Sequence, residues 1–254
     1  MTQSYLKITR KVARDIRLIV ADVDGTLLSS GDSISPAVTE TVRSLEHRGI
    51  MVGLASGRTL PRLEPLAVAL NISGPIIAEN GGVAKLQRGS ELFNLGYSRQ
   101  PALQAFMKLK TNFTKAIRDA KDNTDRLIDI GFYCDGIAPE ELRKHLEGVQ
   151  LLDSGYMLHL HQEGVSKGNT LMRILRLIGD RTLHPHEVMV FGDSSTDVSL
   201  FAAFENSVLI VNPRLTQNQT EEIRNMAKYQ SELHCGDGFI EVSTRILNIR
   251  ACRV

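Results

Sequence analysis

Arg17-Leu-Ile-Val-Ala-Asp-Val-Asp-Gly-Thr26 is the stretch that decides the fold. From Leu18 to Ala21 it is apolar without alternation, and it stops at aspartates and a glycine. Such a run reads as a strand covered on both faces, as in a parallel sheet. Downstream, Ser35 offers an N-cap, Pro36 suits the first helical position and Gly49 can close the end. Between them Val38, Val42 and Leu45 share one helical face. Ile50–Ala55 reads as a second strand, Leu60–Leu70 as a second helix and Pro75–Ala78 as a third strand. Strands alternating with helices imply a parallel sheet joined by crossover helices.

The rhythm changes after Asn80-Gly-Gly82. Over residues 83–164, short strand-like pieces (Glu91–Leu95, Ile128–Cys134, Met157–Leu160) mix with helical stretches near 101–110 and 138–148. The first rhythm then returns. Leu171, Ile174, Leu175 and Ile178 form a helical stripe, Val188–Phe191 and Ser207–Val211 read as buried strands, and helices are expected near 216–228 and 238–249. No repeat or low-complexity linker interrupts the chain. The economical division is an N-terminal extension at 1–16, an α/β core from 17–82 and 165–254, and an inserted α+β domain at 83–164.

Composition narrows the function. The chain has 254 residues, 42% of them hydrophobic and 23% charged, with a formal net charge of +1. A balanced charge argues against a nucleic-acid backbone binder, which needs a basic surplus. Trp is absent and aromatics are 5%, which argues against base-stacking platforms. Cys134, Cys235 and Cys252 are odd in number and form no C-x-x-C, so neither a disulfide framework nor a cysteine zinc site is expected. No apolar run reaches the roughly 20 residues of a spanning helix. The basic N-terminus lacks the apolar run of a signal peptide, so a cytoplasmic protein without a membrane partner is expected.

Four segments follow predicted strands or open a predicted helix: Asp22-Val-Asp24-Gly-Thr26, Ser56-Gly57-Arg58, Lys167 and Gly192-Asp193 through Asp197. In open parallel sheets ligands bind at the carboxyl ends of the strands, so these segments should converge. Together, and in this order, they resemble the four motifs of the haloacid-dehalogenase-like phosphatases, over nearly the whole chain beyond residue 16. The resemblance implies a Rossmann-like parallel sheet core with a C2-type cap inserted between the second and third motifs. It implies hydrolysis of a phosphomonoester through an aspartyl-phosphate, with Asp22 as nucleophile, Asp24 as general acid and base, and Lys167 stabilising the transition state. Asp22, Asp24, Asp193 and Asp197 are the expected ligands of Mg2+, a cation that prefers hard oxygen donors. Thr26, Ser56, Gly57, Arg58, Asn80 and Tyr156 are the expected phosphate- or substrate-binding residues.

The fourth motif departs from the family pattern, with Thr196 where Asn is usual, which puts metal affinity and the surrounding geometry in question. Pro75–Gly82, Gly131-Phe132 and Ser154-Gly-Tyr156 look most like the archaeal-type phosphoglycolate phosphatases. Sucrose-phosphate and mannosyl-3-phosphoglycerate phosphatases share the layout, and a sugar phosphomutase or a non-catalytic binding module stays open as an alternative. Phosphoglycolate would suit Arg58, which can pair with its carboxylate. The expected partner is a small phosphorylated metabolite, with a homodimer left open. His159 and His161 stand two apart on one strand face, without the further ligands of a zinc site, and read as structural or surface residues.

Overall fold

The computed structural model describes residues 2–29, 33–155, 157–179, 182–213, 221 and 223–252. In chain order its first part comprises β1 (Gln3–Ser4), α1 (Arg10–Asp15), β2 (Leu18–Ala21), α2 (Pro36–His47), β3 (Met51–Ala55), α3 (Leu60–Leu70), β4 (Ile76–Ala78) and β5 (Val83–Lys85). A middle part follows with α4 (Gln100–Asn112), β6 (Ile117–Asp119), β7 (Ile130–Cys134), α5 (Pro139–Arg143), β8 (Val149–Asp153) and β9 (Leu158–Gln162). The last part holds α6 (Lys167–Ile174), β10 (Val188–Gly192), α7 (Val198–Ala203), β11 (Asn206–Val211), β12 (Tyr229–His234) and α8 (Cys235–Ala251).

Eight strands form one sheet in the order β1-β12-β11-β10-β2-β3-β4-β5, parallel except for the β4–β5 pair. The chain runs outward one way through β3 and β4, and the other way through β10, β11 and β12. The order therefore reverses beside β2, the place where ligands of such sheets bind. Every residue of β2 is buried. Ile19 and Ala21 join a cluster with Val38, Val42, Leu45, Phe239 and Val242, whereas Leu18 and Val20 join Leu171, Ile174 and Phe204. Alternate side chains thus feed two helical layers, which is why the stretch shows no polar face. Ser35 caps α2 by accepting from Val38 N–H, Pro36 opens that helix, and α3 spans the predicted Leu60–Leu70.

The middle part builds a separate antiparallel sheet of order β6-β7-β9-β8. Ile130, Phe132, Val149, Leu151, Leu158 and Leu160 pack on Ala102, Phe106, Leu109 and Leu142. Period-two alternation sends Gly131, Gln150, Leu152, His159 and His161 to the opposite face.

Several expectations shift. Residues of the expected extension complete the core: β1 pairs with β12, and Ile8, Ala13 and Ile16 are buried. Glu91–Leu95 forms no strand; one bridge joins Leu92 to Lys85. The second predicted middle helix stops at Arg143, and Gly148 takes a left-handed conformation (φ +68°) before β8. β7 starts at Ile130 because the N–H groups of Leu127, Ile128 and Asp129 are held by the Glu79 carboxylate. β6, β8 and β12 were not expected. Of the helix predicted near 216–228, residues 216–220 and 222 lie outside the described residues. No helix among the described residues is long and apolar enough to cross a membrane.

Candidate active site

β10, β2, β3 and β4 are neighbours, so the residues that follow them meet at one edge of the sheet. Asp22 directly extends β2, and its N–H donates to the Phe191 carbonyl of β10 at 2.9 Å. Lys167 reaches it from the first turn of α6, whose N-cap Ser166 accepts from Asn169 N–H. The ammonium donates to Asp22 Oδ1 at 2.6 Å, Asp197 Oδ1 at 2.7 Å and Thr196 Oγ1 at 3.2 Å. A lysine at a helix start is usually solvated, but this one is 1% exposed. Gly168 permits the approach, since a Cβ there would lie 2.0 Å from the Ser199 carbonyl oxygen.

Asp193 follows β10. Its Oδ1 accepts from Thr26 Oγ1 at 2.9 Å and its Oδ2 from Asn212 Nδ2 at 2.6 Å. Gly25, at φ +91°, turns the first loop against it; a Cβ there would fall 2.4 Å from Asp193 Oδ2. Asp197 Oδ2 accepts the N–H groups of Asp193 at 3.0 Å and Ser194 at 3.2 Å, which closes the fourth loop on itself. Asp22, Asp193 and Asp197 each bring a carboxylate oxygen to within 4.8 Å of the others, and all three are buried.

The charge balance of this cluster is uneven. Three carboxylates share the single ammonium of Lys167. Burial pushes Asp22 well above the usual carboxylate range; Lys167 opposes this, while Asp197, Asp193 and Asp24 add to it. Asp193 is pushed up to about 7, first by burial and then by Asp197. Burial would lower the pKa of Lys167, but Asp197 and Asp22 more than offset that and raise it. Oxygen-only donors with surplus negative charge in a buried place make a set that a hard divalent cation fits.

The other expected residues form an adjoining group. Arg58 grips both oxygens of Asp24, Nε to Oδ2 at 2.7 Å and Nη2 to Oδ1 at 2.6 Å. The Asp24 side chain therefore stands apart from the three-carboxylate group. Ser56 is buried, and its hydroxyl accepts from Arg58 N–H at 3.2 Å. Gly57 lies flat against the Asn80 amide, which a Cβ would approach to 3.0 Å. Glu79 and Asn80 both adopt left-handed backbone (φ +51° and +55°), an uncommon strain for non-glycine residues that concentrates at functional sites. Asn80 Nδ2 faces Asp129 Oδ2 at 3.4 Å, and its Oδ1 is buried without a hydrogen-bond partner among the described residues. Tyr156 lies outside the described residues.

Sequence reasoning missed Asn212, Glu79, Arg126 and Asp129. Asn212 follows β11, so the strand-end rule that found Asp193 could have found it. The other three bind the two sheets together. Glu79 accepts three backbone N–H groups, and burial, then Asp129, raises its pKa against them. Arg126 Nη1 donates to Asp129 Oδ1 at 2.5 Å and to the Gly57 carbonyl at 3.2 Å, and Nη2 to Asp122 at 2.8 Å. His159 Nδ1 meets Asp129 Oδ2 at 2.9 Å. A cleft of about 510 Å³ runs between the sheets, lined by Asn80, Lys167 and Thr196 on one side and Gln150, Leu152 and His161 on the other.

The chain matches a family model described as haloacid dehalogenase-like hydrolase over residues 19–123 and 101–242. It is 31% identical over 232 residues to a phosphoglycolate phosphatase of Methanospirillum hungatei, covering 89% of this chain and 95% of that protein. A phosphoglycolate phosphatase of Methanoculleus marisnigri is 34% identical over 233 residues, covering 89% and 94%. Among solved structures, protein 0175 of Thermoplasma acidophilum superposes with a TM-score of 0.77 at 26% identity, covering 91% of this chain and 98% of that one.

Proposed function

Because the chain belongs to the haloacid dehalogenase-like hydrolases and is a phosphatase, we propose that Asp22 is its nucleophile and phosphoglycolate its substrate. The observation that carries the assignment is the buried Lys167, bonded at once to Asp22 and Asp197. A binding module has no use for a desolvated ammonium held among acids. In this reading residues 17–82 and 165–254 are the catalytic core, joined by 1–16, and 83–164 are the cap.

The Asp22 carboxylate attacks phosphorus as the bond to the ester oxygen breaks, giving an aspartyl-phosphate and the leaving alcohol. Asp24 supplies the proton to that oxygen. One of the two Arg58 bonds opens to let Asp24 be protonated, and the other keeps the carboxyl aimed. In the second step Asp24 takes a proton from the attacking water, and phosphate departs from Asp22. Lys167 offsets negative charge as it builds on the phosphoryl oxygens, in a place where burial strengthens each interaction. Ser56, Gly57 and Thr26 border the phosphoryl position.

Asp22, Asp193 and Asp197 would hold Mg2+, while the Asp24 carboxylate, expected from sequence as a further ligand, is held by Arg58 instead. When bound, the ion neutralises charge on nucleophile and phosphoryl group and aligns them. Thr196, in place of the usual Asn, serves Lys167 as an acceptor. Phosphoglycolate is named because the two archaeal relatives act on it.

The test is phosphate release from phosphoglycolate and a set of sugar phosphates, with Mg2+ and with EDTA. Release that needs Mg2+ and concentrates on phosphoglycolate is expected. Preference for a sugar phosphate would replace the substrate, and EDTA-resistant release would remove the metal.

A further inference from the structure

A phosphoglycolate phosphatase must meet a carboxylate as well as a phosphate, and Arg58, the residue first suited to it, spends two donors on Asp24. Arg126 is likewise engaged by Asp122, Asp129 and the Gly57 carbonyl. Lys167 is engaged by Asp22, Asp197 and Thr196. Among the described residues lining the cleft between the sheets, His161 is the one remaining side chain able to carry positive charge.

Its position follows from the strand. Leu158 and Leu160 turn to the apolar cluster beneath the second sheet, so His159 and His161 turn to the opposite face, where His161 lines the cleft. The two histidines differ in employment. His159 Nδ1 is bound to the buried Asp129. His161 Nδ1 makes a long contact of 3.3 Å to the carbonyl of the adjacent Gln162, which leaves Nε2 as the edge for a ligand. Gln150 lies directly across the ladder from His161, and both also line a second, adjoining cleft of about 460 Å³. The exposed amide of Gln150 and the buried imidazole of His161 stand side by side, opposite Lys167 and Thr196, and make a polar end to a cleft whose other end is the reaction centre.

Resting on the phosphatase reading above, we propose that His161, with Gln150, receives the carboxylate of the leaving group and is a specificity-determining residue of this enzyme. Burial pushes the imidazole below the usual histidine range, and Asp129 works in the opposite direction. A carboxylate within reach of Nε2 adds a second anion beside the ring. The ring then takes a proton from solvent and donates it in a charge-assisted hydrogen bond. Gln150 contributes an amide N–H to the same group.

The test compares phosphoglycolate with 2-hydroxyethyl phosphate, the same ester with an uncharged hydroxymethyl group in place of the carboxylate. The wild-type chain should favour phosphoglycolate in kcat/KM, and His161→Gln should reduce that preference by about tenfold or more, the size of one charge-assisted bond. The loss should fall on KM for phosphoglycolate, with kcat held within about threefold, as expected for a group that binds rather than reacts. A melting curve checks the fold; should His161→Gln be poorly folded, Gln150→Leu should lower the same ratio. An unchanged ratio in the folded variant, or equal losses on both esters, overturns the proposal. A wild-type chain that cleaves p-nitrophenyl phosphate but does not favour phosphoglycolate overturns it too and leaves the phosphatase standing. Silence on all three esters brings down both.

Discussion

Two buried ionic clusters flank the junction of the sheets. In the core, Lys167 pairs with Asp22 and Asp197, and Asp193 beside them accepts from the neutral donors of Thr26 and Asn212. On the face of the second sheet opposite its apolar cluster, Asp129 lies between Arg126 and His159, and Arg126 also holds Asp122. Both clusters are desolvated, yet the acids respond oppositely. Burial would raise Asp129, but the His159 hydrogen bond and Arg126 overcome it and its pKa is lowered, whereas Asp22 and Asp193 are raised. A cluster that neutralises itself holds parts together. One that keeps surplus charge is unfinished without a cation or a substrate, and such sites are characteristically functional.

The largest effect that sharpens this contrast is at the nucleophile. Asp22→Asn should lower phosphate release by ~10³-fold or more, since it removes a group that acts as a unit with its neighbours. Its melting temperature should not fall, because one of three crowded acids has become neutral. A destabilised or still active Asp22→Asn would break the comparison. Lys167→Ala should cost about 10²–10³-fold in kcat, the scale of a lost transition-state donor. Retained activity would reduce Lys167 to a counter-charge.

The second cluster should show the reverse pattern, with stability lost before chemistry. Arg126→Ala leaves Asp129 buried without its cation, a change worth about 3–5 kcal/mol, and thermal melting should fall by roughly 10 °C. The lowered pKa of Asp129 fixes the sign of its pH dependence. Its contribution is present at neutral pH and is lost as pH falls from the ordinary carboxylate range downward. Asp129→Asn should therefore be less stable at neutral pH and lose less on acidification, as urea titrations at several pH values would record. At the small end, the exposed pair Arg118–Asp135 joins the same sheet, and Arg118→Ala should leave the melting temperature unmoved. A drop there comparable to Arg126→Ala would show that burial is not what separates the pairs.

The periodicity of Leu18–Ala21, the caps of α2 and the extent of α3 were legible because each depends on neighbours a few residues away. So was the set Asp22, Lys167, Asp193 and Asp197, because strand ends in a parallel sheet must converge. The bonds of Arg58 were not legible. Whether a guanidinium meets a substrate or Asp24, 34 residues away in sequence, depends on which surfaces fold together. Nor was the employment of His159 and His161, which share a face and a residue type and are separated by the reach of Asp129 alone. Glu79 carried no reading of its own in the sequence, yet it shortens β7 by capturing three N–H groups about 50 residues on.

Local pattern thus determined the parallel core, the inserted second unit and the acids at the strand ends, since hydrophobic period and strand polarity are properties of the chain. Tertiary structure alone decided which charges are cancelled and which are left over. That choice turns on distances between segments remote in sequence, and on burial, which makes each unpaired charge costly enough to matter.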